Sequence, residues 1–205
     1  ELCTEGALAI SRGLKYPHNL EFEKAIWPFM LVSKKRYHGH YYKQWANPSY
    51  EAKSMGIVLK RRDNAPIVKH IFGSTLDIIF EEHDLAKAFK HCQIETNKLL
   101  KGEFPLDKFM ITKTLKSYYK QPEQVAHWNL AQRIAERDPG NKPQSNDRMA
   151  FAYIKVPEPA KGETILQGDR IETMEFIKTN SKQLDYRFYL TNQVMKPVLQ
   201  IFPRY

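Results

Sequence analysis

Cysteine is scarce in this chain of 205 residues, and the two present, Cys3 and Cys92, stand far apart, without the spacing of a metal-binding pair. A disulfide framework and a zinc module are therefore excluded as organising principles, and two free thiols of a reducing compartment are the expectation. Long apolar runs are also missing. None approaches the length of about 18 residues that crosses a bilayer, and the start lacks the pattern of a signal peptide. The chain reads as neither membrane-spanning nor visibly secreted. There is no internal repeat and no low-complexity tract. His70, His83 and His91 have no partners at metal-ligand spacing, and His127 has no nucleophile or carboxylate beside it in sequence, which argues against a catalytic base.

Acidic residues are the other deficit. Lys and Arg number 32 against 23 Asp and Glu, a formal charge of +9. The excess is concentrated: between Lys34 and Lys69, nine Lys and Arg face only Glu51 and Asp63, a net +7. Such a stretch suits a polyanion whose counterions it can displace, or it forms a solvated basic face. A hydrophobic content of 42% with 27% charged residues is that of a globular protein.

Periodicity supplies the elements. Leu2, Ala7, Leu8 and Ile10 predict a short amphipathic helix that stops at Gly13. Leu20, Phe22 and Ile26 alternate with Glu21 and Glu23, which predicts a half-buried strand with both carboxylates on one face. The apolar run Ile26-Trp27-Pro28-Phe29-Met30-Leu31-Val32 reads as a buried strand, and it exits into Ser33-Lys34-Lys35-Arg36-Tyr37 where the sheet meets solvent. The chain then returns as a second strand to Tyr42. Lys43 to Ser54 reads as a surface connection, and Ile57 to Leu59 as a short strand. Pro66 suits the first turn of a helix capped near Asp63 or Asn64. For Arg61 and Arg62 two roles stay open, a phosphate seat at that helix start and structural ion pairs with Asp63.

From Ile67 onward the pattern is helical. A second helix opens at the cap Asp84 and ends at Gly102 and Pro105, and a third runs from Val125 to the Arg137-Asp138-Pro139-Gly140 stop. Asn141 to Asp147 is a polar loop, Phe151 to Ile154 a strand, and Val156 to Asp169 a surface excursion. A final helix from about Asp185 to Ile201 is expected to kink or break near Pro197. The whole predicts an α+β fold, with a small antiparallel sheet first and a mostly helical part after it.

The blocks Leu20-Glu21-Phe22-Glu23-Lys24, Lys34-Lys35-Arg36-Tyr37, Gly56 through Asn64, Arg137-Asp138-Pro139-Gly140 and Tyr189-Leu190-x-x-Gln193-x-x-x-Pro197 stand in an order and spacing that closely resembles the C-terminal part of family B DNA polymerases. The eukaryotic delta-type catalytic subunit and its large-DNA-virus relatives are the nearest likeness, which runs from about Leu20 to Ile201. The family's D-T-D-S metal-binding turn, its S-L-Y-P block and its K-x-x-x-N-S-x-Y-G helix are absent.

The resemblance implies the end of a palm domain over residues 1–64 and a thumb domain over 65–205, in an enzyme that extends a primer on a DNA template with dNTPs and Mg²⁺. It assigns Lys34 and Lys35 to the primer-end duplex and Tyr37 to a phosphate hydrogen bond, with Arg36 contacting the backbone or structural. A lysine in the minor groove can donate to the acceptors that every correct pair displays there. Lys60, Arg61, Arg62, Lys113 of the Ile111-Thr112-Lys113 segment, and Arg148 are further candidates for the duplex. Glu21 and Glu23 are candidates for an additional divalent ion, although two carboxylates give few oxygens for Mg²⁺. Asn146 stands where the family's G-D-R-V-x-Y strand has glycine, which puts that turn in question. The implied partners are primer-template DNA, dNTP in the complete enzyme, and a sliding clamp or accessory subunits. The implied location is the nucleus or a cytoplasmic site of viral replication. Lacking the aspartates, the chain is expected to grip duplex without polymerising. The alternative from another class is a self-contained basic nucleic-acid-binding module without catalysis.

Overall fold

The computed structural model describes residues 2–43, 50–60, 63–157 and 165–202. It divides the chain into two compact units, Glu1–Lys60 and Arg61–Tyr205. The architecture is α+β, with one small antiparallel sheet in each unit.

In the first unit, helix α1 (Leu2–Gly13) precedes strands β1 (Ala25–Ser33), β2 (Arg36–Tyr42) and β3 (Glu51–Met55), which pair antiparallel in the order β1-β2-β3. Four sequence expectations change here. Residues 20–24 are not a strand, because pairing begins only at Ala25, opposite Tyr42. Glu51–Met55, read as a connection, is the third strand and pairs with Tyr37–Tyr41. Its alternation is polar and largely exposed, so no apolar signal marked it. Ile57 to Leu59 is not a strand: a 3-10 turn, Val58–Lys60, occupies this place, with Ile57 and Val58 buried. The apolar run of β1 is not buried on both faces either. Trp27, Phe29 and Leu31 are exposed while the residues between them are half-buried, the pattern of an edge strand with one uncovered face.

The second unit begins with α2 (Pro66–Asp77) and α3 (Leu85–Lys101). Pro66 sits in the first turn as expected, but the cap position is Ala65, whose N–H donates to the Gln193 side chain at 3.2 Å. Asp84 caps α3 by accepting from the Lys87 N–H at 2.8 Å, and the helix stops at Gly102. Buried Glu95 on α3 takes a bond from Lys98 at 2.7 Å and lies 3.2 Å from His70 on α2. Burial raises the Glu95 pKa, but these partners outweigh it and hold the carboxyl below its ordinary range.

Strand β4 (Ile111–Thr114) pairs with β5 (Arg148–Tyr153), and β5 with the short β6 (Ile171–Glu172), while α4 (Ala126–Arg137) packs against the turn before β6. Ile111, Met149 and Phe151 fill one face of this sheet. Glu172 is buried and takes both terminal nitrogens of Arg137, at 2.8 and 3.0 Å, together with Arg133 Nε at 3.3 Å. Arg133 also donates to the Gly168 and Ile171 carbonyls. A buried carboxylate is tolerated here because two guanidinium groups satisfy it.

After α5 (Met174–Thr179), the closing helical segment runs through α6 (Tyr186–Phe188), a wide π turn at Tyr189–Val194, and α7 (Met195–Ile201). The irregularity expected at Pro197 lies ahead of it. Pro197 cannot donate to the carbonyl four residues back, and the π turn that contains Gln193 absorbs the mismatch, so the helix continues to Ile201. Fully buried Tyr189 donates its hydroxyl to the Phe109 carbonyl at 2.7 Å and accepts the Tyr153 N–H at 2.9 Å. Burial pushes that hydroxyl above the ordinary tyrosine range.

Tyr189→Phe removes one oxygen and orphans a buried carbonyl and a buried N–H, each costing about 1–3 kcal/mol. The expected result is a clearly lower denaturant midpoint in urea unfolding followed by circular dichroism. An unchanged midpoint would show that the hydroxyl does not join these elements.

Candidate nucleic-acid interface

Lys34 and Lys35 form the two-residue turn between β1 and β2, closed by the pairing of Ser33 with Arg36. Both are exposed. Lys35 has a positive φ of 62°, a conformation that L side chains adopt at a cost. The chain after β3 offsets that cost. Gly56, itself at φ 62°, comes so close that a Cβ there would stand 2.4 Å from the Lys35 carbonyl oxygen, and the Gly56 carbonyl accepts from Arg36 Nε at 3.3 Å. Arg36 thus bonds to the protein backbone through Nε. The hairpin is held while its two lysines project.

Tyr37 packs its ring against Phe29, centroids 5.6 Å apart. On the opposite face, buried His38 pairs with the Ser54 hydroxyl at 2.7 Å, and the His40 ring stacks on Tyr50 at 3.9 Å. Burial first, and the neighbouring His40 second, lower the His38 pKa to about 4.

The other candidates are distributed. Lys60 is exposed at the end of the 3-10 turn, and Arg61 and Arg62 lie outside the described residues. Lys113 and Arg148 are both exposed on the β4–β5 ribbon, but the register puts Lys113 on the side of Met149 and Arg148 on the side of Thr114, so they leave opposite faces. Asn146 takes the left-handed conformation at φ 74° that the family's glycine would favour, and its N–H donates to the Leu115 carbonyl at 2.7 Å. Asparagine accepts that conformation more readily than most residues.

Two groupings carried little sequence signal. The Tyr119 hydroxyl accepts the Lys116 N–H at 2.8 Å and is hydrogen-bonded to His127 Nε2 at 2.9 Å. Burial, then Lys113, holds the His127 pKa below the ordinary range, which fits a packing residue near the basic strand. Gly56 is the other, since only its distance from Lys35 in space explains it.

Glu21 and Glu23 lie on irregular chain, exposed. Glu21 accepts from Asn19 at 3.2 Å, and Glu23 pairs with Lys24, the partner that lowers its pKa. Among the described residues no group of three or more His, Cys, Asp and Glu could hold a metal ion, so these two carboxylates do not by themselves fit a magnesium site. No described helix is long and apolar enough to cross a membrane. Cys3 and Cys92 are both free.

The sequence matches the profile of DNA polymerase family B over residues 1–205. The chain belongs to this family. Among its relatives are the DNA polymerases of Pyramimonas orientalis virus, 45% identical over 98% of the chain, and Acanthamoeba polyphaga mimivirus, 48% identical over 97%. The DNA polymerase delta catalytic subunit of Candida albicans is 34% identical over 98%. This family B chain spans only 16%, 11% and 19% of those three relatives. In fold it is similar to the family B DNA polymerase of the archaeon Pyrobaculum calidifontis, with a TM-score of 0.67 at 18% identity, covering 96% of this chain and 24% of that one.

The buried neutral His38 makes the hairpin unit acid-sensitive. The unfolded chain takes its proton near the ordinary histidine pKa of about 6.5, the folded chain only near about 4. Its contribution to stability is thus complete above the first value and declines as pH falls toward the second. Urea midpoints measured between about pH 7 and about pH 4.5 should decline for the parent and decline less for His38→Gln; identical pH profiles would contradict the assignment.

Proposed function

We propose that this chain is the duplex-gripping portion of a DNA-directed DNA polymerase that extends a primer on a DNA template with dNTPs. Residues 1–64 are then the end of the palm and residues 65–205 the thumb. The observation that carries this reading is the Lys34-Lys35 turn, exposed and charged yet clamped from behind by Gly56 and by the Arg36 bond. A rigid pair of cations on a hairpin tip can enter the minor groove and bond to acceptors common to all correct base pairs, which grips the primer end without reading its sequence. Tyr37 adds a phosphate hydrogen bond. Lys60, Arg61, Arg62, Lys113 and Arg148 contribute charge along the duplex.

Because Lys113 and Arg148 leave opposite faces of their ribbon, only one of them can meet a given stretch of backbone. Divalent-metal chemistry belongs to the complete enzyme; Glu21 and Glu23 would contribute only in company with carboxylates from elsewhere. The complete enzyme's partners are primer-template DNA and dNTP, with a sliding clamp or accessory subunits, and its place is the nucleus or a viral replication site in the cytoplasm. The relatives include both viral and delta-type polymerases, which is the basis for naming both places.

Replacing Lys34 and Lys35 together by alanine should weaken primer-template binding about ten- to a hundredfold, from the loss of charged hydrogen bonds, with a shallower salt dependence. Gly56→Ala, which alters no charge, should also weaken it by displacing the turn. Fluorescence anisotropy with duplex and single-stranded probes checks both. Equal affinity for the two probes, unchanged by either substitution, would favour the self-contained binding module. Primer extension by the isolated chain should be undetectable, and measurable incorporation of nucleotide would contradict its role as a gripping portion.

A further inference from the structure

Between β4 and α4 the chain crosses a short loop, residues 115–121, that carries Lys116 and Lys120, both exposed. The loop is held at two points. Leu115 is buried, donates its N–H to the Asp147 carbonyl at 2.9 Å and accepts the Asn146 N–H, which ties the first residue of the loop to the turn before β5. Four residues on, Tyr119 is half-buried, and its hydroxyl joins the Lys116 N–H at 2.8 Å to the His127 ring at 2.9 Å. His127 stands in the first turn of α4 and also bonds to the backbone of Thr114, the last residue of β4. One imidazole thus spans the end of a strand, a loop and the start of a helix.

The charges around this ring are of one sign. Lys113 of β4 and Lys116 of the loop both lie near enough to disfavour a proton on His127. Among the described residues, none of Lys113, Lys116 and Lys120 has a carboxylate within ion-pair distance. The other end of the same helix differs, because there Glu172 engages Arg133 and Arg137. Lysines gathered at one place without an internal counterion repel one another, and a bound anion removes that cost. A neutral ring between them adds no third charge to the group. For the gripping portion of a polymerase, the anion is a backbone phosphate of the duplex. Lys113 and Arg148 leave opposite faces of their ribbon, and the His127 ring brings Lys116 to the side of Lys113. A loop already held at both points loses little further freedom when its lysine is engaged.

We propose that Tyr119 and His127 are positioning residues of the duplex grip: their mutual hydrogen bond holds the 115–121 loop against β4, so that Lys113 and Lys116 meet the same backbone phosphate. The inference rests on the reading of this chain as the duplex-gripping portion of the polymerase, and it adds to that reading a phosphate contact in the second unit.

The test measures primer-template binding by the complete polymerase, by fluorescence anisotropy over a range of salt concentrations. Lys113→Ala together with Lys116→Ala is expected to weaken binding about tenfold, as for the loss of a charged hydrogen bond. The same pair of substitutions should lower the salt slope by about 0.9, the value for one phosphate. Tyr119→Phe alters no charge. It is expected to weaken binding about threefold to fivefold in the parent, and not at all in the protein that lacks both lysines, because it acts only through them. His127→Gln should behave as Tyr119→Phe does, and it keeps the test decisive if one of the two variants folds poorly. A merely structural pair would weaken binding by the same factor in both backgrounds, which overturns the proposal. Unchanged affinity after replacement of Lys113 and Lys116 overturns it as well. Lys34→Ala with Lys35→Ala, measured alongside, separates the two readings: a loss there with none at Lys113 and Lys116 removes this proposal alone, and a loss at neither place removes both.

Discussion

The Lys35 carbonyl and the backbone of Gly56 cannot both stay where they are if residue 56 carries a side chain. That crowding fixes the hairpin of the first unit. It ties the end of the third strand to the turn between the first two, lets Arg36 bond to the Gly56 carbonyl, and leaves Lys34 and Lys35 directed away from the protein. A flexible basic loop would lose conformational freedom on binding DNA, whereas a turn already held in place has paid that entropy in folding.

The second unit is organised by a different device. Polar groups that would be costly to bury are joined in closed sets: the Tyr189 hydroxyl between Phe109 and Tyr153, and Glu172 between Arg133 and Arg137. Each set links segments far apart in sequence, and each is stable only when every member is present. Arg133 and Arg137, which could pass for DNA contacts by charge alone, are committed to this internal work. The basic residues left for solvent on the β4–β5 ribbon, Lys113 and Arg148, are divided between its two faces.

Much of this was legible in the sequence because local chemistry and global fold agree. Asp84 and Gly102 bracket α3 as capping rules require, Pro66 opens α2, and the Lys34-Lys35 turn follows an apolar run as it should. The family resemblance supplied the reading of the turn, and no single motif would have sufficed. What was missed depends on distance in space. Glu51–Met55 is a strand because β2 pairs with it, not because its own residues prefer one, and residues 20–24 alternate without finding a partner. Gly56 looks like any turn glycine until the Lys35 carbonyl is seen against it. The buried polar sets were invisible for the same reason, since Arg133 and Glu172 stand 39 positions apart in sequence.

The central claim is that the Lys34-Lys35 turn meets the primer-template duplex, and lysine footprinting addresses it without altering the protein. Acetylation of the chain with and without saturating duplex, read by mass spectrometry, should show Lys34 and Lys35 strongly protected while exposed Lys15, outside the proposed contact, reacts as before. Equal labelling of Lys34 and Lys35 in the two states, with the duplex demonstrably bound, would contradict the account.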